Sequence, residues 1–175
     1  ASLGPKSLEY TGQVADGWAG TSFVPTGAAA TIGHVQQGAL AAGRDPTSIE
    51  YQAGGAVQFG DDTERLLAPR RQGVAFTLGA MGSATTNFYN AAYSRGGFEA
   101  DARRVQQLWV DGQREQAIEA VPDELILQTN FLGSIAEVTE RVRAYQEAGI
   151  SVLRVQPEGV DMQERLDSLG GIVDI

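Results

Sequence analysis

At 175 residues with 42% hydrophobic content, the chain is long enough to bury one sizeable core, and its composition excludes a disordered or fibrous protein. The 22 acidic against 13 basic residues give a formal charge of -9, and no Lys/Arg cluster reverses it locally, which argues against nucleic acid or anionic lipid as a partner. Cysteine is absent and His34 is the only histidine, so neither a disulfide framework nor a thiolate or multi-histidine metal site is available, and no metal is expected.

No apolar run approaches the ~20 residues of a membrane span, no secretory signal pattern opens the chain, and the lack of cysteine fits a reducing cytoplasm. The stretch Leu3-Gly-Pro-Lys6 predicts a tight turn into a helix, with Pro5 at its first position. Lys6 adds a cation where the first backbone N–H groups lack intrahelical partners, so the turn is a candidate anion seat, with a plain helix start as the competing reading. Such a loop belongs at the C-terminal end of a buried strand, and none precedes it here, so further strands are expected ahead of Ala1.

Leu8, Thr11 and Val14 recur at helical spacing until Asp16-Gly17 stops the helix. Trp18 to Val24 reads as a buried strand, and Ala28 to Ala42 as a helix capped by Gly43. Ile49 and Tyr51 alternate with Glu50 and Gln52 in a strand running to Phe59, where Gly54-Gly55 marks a bend or a close backbone approach. Asp61-Asp62-Thr63 predicts a helix start, and Pro69 is expected to end or kink that helix. Residues 62 to 128 read as short helices, broken at Gly96-Gly97. Asn130 to Leu132 could form a short strand. Ser134 to Glu137 is a capping box opening a helix that Gly149 ends, Ile150 to Val155 is a strand, and Asp161 to Leu169 is the last helix. Strands alternating with helical crossovers, without hairpin signals, predict an α/β fold with a parallel sheet in one domain over residues 1–175.

Among chemistry-bearing residues, Arg70 and Arg71 could clamp an anionic group of a substrate or cofactor, against a solvated or interface role. His34 lies inside a helix without a carboxylate at helical spacing and reads as structural. Asp61 and Asp62 read as capping groups, and Phe88, Tyr89, Tyr93, Phe98 and Trp109 as core or dimer packing.

The segments Leu3-Gly-Pro-Lys6, Ala15-Asp-Gly-Trp18, Arg71 to Gly82 with Asn87-Phe-Tyr-Asn90, Val121-Pro-Asp-Glu-Leu125 and Arg143 to Gly149 stand in an order and spacing that resembles the C-terminal half of the luciferase-like monooxygenase superfamily. The resemblance spans nearly the whole chain and is strongest to the actinobacterial F420-dependent oxidoreductases. It implies the C-terminal half of a (β/α)8 barrel: Ala1-Ser2 would end the fifth strand, and the strands near 18–24, 49–59 and 150–155 would be the sixth to eighth, with a helical excursion at about 62–128 after the seventh. It further implies that Ser2, Leu3, Gly4, Pro5 and Lys6 hold the phosphate-bearing tail of coenzyme F420, with FMN as the alternative cofactor. The implied activity of the full-length parent is hydride transfer between F420 and a small organic substrate. The alternatives are an FMN-dependent monooxygenase or a non-catalytic fragment acting by association. Ring-contacting and catalytic residues would lie in the N-terminal half of the barrel, absent from this chain, leaving it inactive alone. Relatives suggest a homodimer.

Overall fold

The computed structural model describes residues 2–83 and 85–175; Ala1, expected at a strand end, lies outside the described residues. Ser2, expected there with it, has no strand partner among them. Helix α1 (Pro5–Val14) leads to strand β1 (Gly17–Ala19), a 3-10 turn (Pro25–Ala30) and α2 (Ile32–Ala41), then to the long strand β2 (Glu50–Phe59). Five helices come next: α3 (Thr63–Ala80), α4 (Phe88–Tyr93), α5 (Glu99–Val110), α6 (Arg114–Glu119) and α7 (Asp123–Thr129). The chain then alternates through β3 (Phe131–Gly133), α8 (Ile135–Glu147), β4 (Val152–Pro157) and α9 (Met162–Val173).

All pairing among the described strands is parallel and centres on β2. Residues 52–57 of β2 pair with 152–157 of β4, while Gln52 also pairs with Ala19 of β1 and Val57 with Phe131 of β3. A strand has only two edges, so β1 and β3 share the one opposite β4, at the two ends of β2. The gap between them is closed by a side chain: Asn130 Oδ1 accepts the Ala56 N–H at 3.0 Å, and its own amide donates to the Ile126 carbonyl at 2.8 Å. Gly55 lies under this plug. A Cβ there would sit 2.1 Å from the Thr129 carbonyl oxygen, so only hydrogen fits.

One face of the sheet carries Trp18, Tyr51, Ala53 and Val57, which form a core with Leu8, Val35, Val138 and Tyr145 from α1, α2 and α8. The strand alternation predicted from Ile49 and Tyr51 is borne out, since both are buried. A second core forms within the excursion, around Leu67, Leu78, Val105, Leu125 and Ile126. Two buried asparagines organise it. Asn87 caps α4 by accepting the Tyr89 and Asn90 N–H groups and donates to the carbonyls of Thr77 and Leu78, while Asn90 donates to Leu78 and Ala102. Tyr93 and Phe98 are core residues, as expected, whereas Phe88 is exposed.

The helix stops obey local chemistry. At Gly43 (φ 70°) the Arg44 N–H bonds the Ala39 carbonyl and the Gly43 N–H that of Leu40, and Gly149 (φ 91°) repeats the pattern with Ile150 to Tyr145. The Ser134–Glu137 capping box forms in full.

Three expectations are corrected. The strand beginning at Trp18 stops at Ala19 instead of reaching Val24, because Gly20 packs against the indole ring and Ser22 (φ 53°) turns the chain away. The helix expected over Ala28 to Ala42 is divided, with a 3-10 turn ending at Ala30 before α2. Pro69 neither ends nor divides α3, which runs through it. The backbone hydrogen bond that Pro69 cannot donate is offset by burial of Leu66, Leu67, Ala75 and Leu78 along the same helix.

Candidate functional site

On the face of the sheet opposite Tyr51, Ala53 and Val57, a cleft of about 710 Å³ opens. Its floor is Gly54, Gly55 and Ala56 of β2 with Arg154 to Gln156 of β4. One wall is the turn Gly20 to Phe23 after β1; the other is built by the excursion, through Arg70, Val74, Tyr93, Thr129 and Asn130. Arg154 crosses the opening to donate to the Gly20 carbonyl at 2.8 Å.

The cleft carries more cation than anion despite the acidic chain, with Arg70 and Arg154 against Glu158. Arg70, only 10% exposed in its side chain, donates to Glu158, to Gln58 at 3.4 Å and to the Leu66 carbonyl, and its Nε is buried without a partner. Burial lowers the pKa of the guanidinium, and the Glu158 carboxylate opposes that shift. Burial also pushes the Tyr93 phenol up against a hydrogen bond with Ser22, so it is a neutral donor near pH 7. Arg71, by contrast, reaches Asp123 at 2.7 Å, Glu64 at 3.1 Å and the Val121 carbonyl at 3.1 Å, clamping α3 to the start of α7. The pair read together in the sequence is therefore divided: Arg70 borders the cleft and Arg71 does not.

The Ser2–Lys6 loop stands at the head of α1, with Gly4 extended at the N-cap and Pro5 at the first helical position. Its side chains do not line the 710 Å³ cleft, yet it is tied to the structure beside that cleft. The Trp18 indole N–H donates to the Ser2 carbonyl at 3.2 Å, Ser2 and Thr11 share a hydroxyl bond of 2.8 Å, and Arg95 donates to the Leu3 carbonyl at 2.6 Å. Pro5 and Lys6 are exposed. This explains why Leu3-Gly-Pro-Lys6 and Asp16-Gly-Trp18 occur together, since the second supplies the donor that holds the first.

His34 lies on α2 with Nδ1 3.0 Å from Glu9 Oε1 of α1, a partner that spacing within its own helix did not reveal. Asp62 accepts the Arg65 N–H at 3.1 Å, which is the capping role expected of it. Among the described residues no group of three or more His, Asp or Glu could hold a metal ion, and no helix is long and apolar enough to cross a membrane. Arg95, Asn130, Arg154 and Tyr93 were not singled out for the site from the sequence.

A parallel sheet with helices packed on one face and an open cleft against the other defines an α/β protein of the barrel type. Residues 1–151 match the family model described as luciferase-like monooxygenase, and the chain belongs to that family. It is 26% identical over 168 residues to a protein of Mycobacterium tuberculosis assigned as a coenzyme F420-dependent oxidoreductase, covering 95% of this chain and 48% of that one. It is 32% identical over 167 residues to the phthiodiolone/phenolphthiodiolone dimycocerosates ketoreductase of Mycobacterium kansasii, covering 89% and 43%. The fold superposes on the coenzyme F420-dependent tetrahydromethanopterin reductase of Methanopyrus kandleri with a TM-score of 0.69 at 19% identity, over 97% of this chain and 47% of that one. An F420-dependent secondary alcohol dehydrogenase solved with an F420-acetone adduct gives 0.60 at 18%, over 96% and 45%. The chain thus spans about half the length of the relatives it matches, and its sheet corresponds to about half of their barrel-like fold.

Proposed function

We propose that the full-length polypeptide carrying this chain is an F420-dependent oxidoreductase that transfers a hydride between the coenzyme and a small organic substrate. The observation that carries the reading is the Ser2–Lys6 loop, anchored by Trp18 at the β1 strand end beside the cleft, in a chain whose relatives are named for F420. The residues present fit the coenzyme's anionic tail. A Cβ on Gly4 would meet only Ser7 Oγ at 3.7 Å, so the backbone there is open to a close approach. The N–H groups of Lys6 and Ser7 begin α1 without intrahelical acceptors, and the Lys6 side chain on the same turn is exposed.

When bound, F420 supplies the hydride chemistry at its deazaflavin ring, and the protein supplies orientation and electrostatics. In this reading Ser2 to Lys6 bind the tail, and Arg70 holds its positive charge at the cleft wall. Tyr93 keeps its phenol proton inside the cleft, and the excursion screens the strand ends from water. Lys6→Glu in the full-length protein replaces an attractive charge by a repulsive one and should weaken F420 binding by about tenfold, read by fluorescence titration. Unchanged affinity would remove the loop from the site.

A further inference from the structure

We propose that Arg95 is a positioning residue for the cofactor-tail loop: by pinning the Leu3 carbonyl it turns the Gly4 amide outward, so that the helical excursion becomes part of the tail site. The inference rests on reading Ser2–Lys6 as the tail seat. A trans peptide directs the carbonyl of one residue and the N–H of the next to opposite sides. Trp18 holds the Ser2 carbonyl from the sheet side, and Arg95 holds the Leu3 carbonyl at 2.6 Å. The Leu3 N–H therefore points away from the indole, and the Gly4 N–H points away from the guanidinium. Two neighbouring peptide planes are thus fixed by side chains 16 and 92 residues distant from the carbonyls they bind.

Arg95 can do this because its own backbone is clamped. It lies in the π-turn Ser94–Phe98 between α4 and α5, where Gly97 (φ 105°) lets the chain bend. The Gly96 carbonyl accepts from Thr26 Oγ1 at 3.2 Å, and the same hydroxyl is 2.9 Å from Gln128 Oε1. A Cβ on Gly27 would fall 2.4 Å from Gly96 Cα, and one on Gly96 would fall 2.2 Å from Val24 Cγ2. The turn is thus pressed onto the segment after β1 with no room for a side chain at either glycine. Arg95 reaches from there to the other strand-end loop. Its Nε is buried without a partner, so the guanidinium gives up water without full compensation from protein acceptors. Burial accordingly lowers its pKa.

The test uses the full-length protein and two probes, F420 and the same deazaflavin lacking the phosphate and glutamate tail. Wild type should bind F420 at least about tenfold more tightly than the tail-less probe. Arg95→Ala should lose about that factor for F420 and leave the tail-less probe unchanged, while Arg95→Lys, which keeps a cationic donor, restores part of it. Arg95→Met, which keeps much of the reach but has no donor, is read in the same way as alanine if the alanine variant does not fold. If Arg95→Ala binds F420 as wild type does while Lys6→Glu weakens it, the Arg95 inference fails and the tail seat stands. An equal loss for both probes would also overturn the positioning role. Equal wild-type affinity for the two probes would sink the tail seat, and the Arg95 inference with it.

Discussion

Gly54→Ala tests the strand geometry beneath the cleft. An added Cβ would lie 1.8 Å from the Arg154 carbonyl oxygen and 2.8 Å from its carbon, in the middle of the β2–β4 ladder. Ordinary contact begins near 3.4 Å, so the strands must part by about 1.5 Å out of a spacing of about 4.8 Å. That breaks two or three ladder hydrogen bonds at about 1 kcal/mol each, and the displaced floor loses packing, for a total loss of about 3–4 kcal/mol. Urea unfolding of the full-length protein measures it, with Gly33→Ala as the control. Nothing lies within 4 Å of a Cβ on Gly33, in the first turn of α2, so the same chemical change should be neutral or stabilise by up to about 1 kcal/mol. A Gly54→Ala loss below about 1 kcal/mol would refute the reasoning, because the strand approach would then have slack that these distances deny.

Arg71→Ala removes three bonds to Asp123, Glu64 and the Val121 carbonyl and should cost about 2 kcal/mol of stability while leaving F420 affinity unchanged, by urea unfolding and fluorescence titration. A tenfold loss of affinity at unchanged stability would instead make it a ligand clamp. His34→Ala breaks a partly exposed pair with Glu9, worth at most about 1 kcal/mol, and should leave turnover nearly intact. A loss beyond about a hundredfold would assign His34 to the chemistry.

What was legible in the sequence was set locally. The Ser134 capping box, the glycine stops at Gly43 and Gly149, the Asp62 cap and the alternation of Ile49 and Tyr51 each depend on neighbours within a few residues, so spacing sufficed. The early stop of β1 depends on how the Trp18 ring fills the space over Gly20, and the passage of α3 through Pro69 depends on burial against later helices. Both depend on how side chains pack in three dimensions, which spacing alone does not carry. The same holds at the site. Gly4, Pro5 and Lys6 announced a helix start, but the donors that hold the loop, Trp18 and Arg95, come from distant segments. Arg70 and Arg71 are adjacent in sequence and about 100° apart on a helix, which sends one to the cleft and the other to α7. Asn130, which replaces a strand hydrogen bond with its side chain, looked like an ordinary residue at the start of a short strand.

The central claim is that this chain contributes the tail site of an F420 enzyme. Titrating the full-length protein with F420 and with FMN, followed by absorbance, tests it most directly. F420 should bind at least about tenfold more tightly than FMN and be reduced or reoxidised when the substrate is supplied; FMN binding as tightly or more tightly would contradict the account.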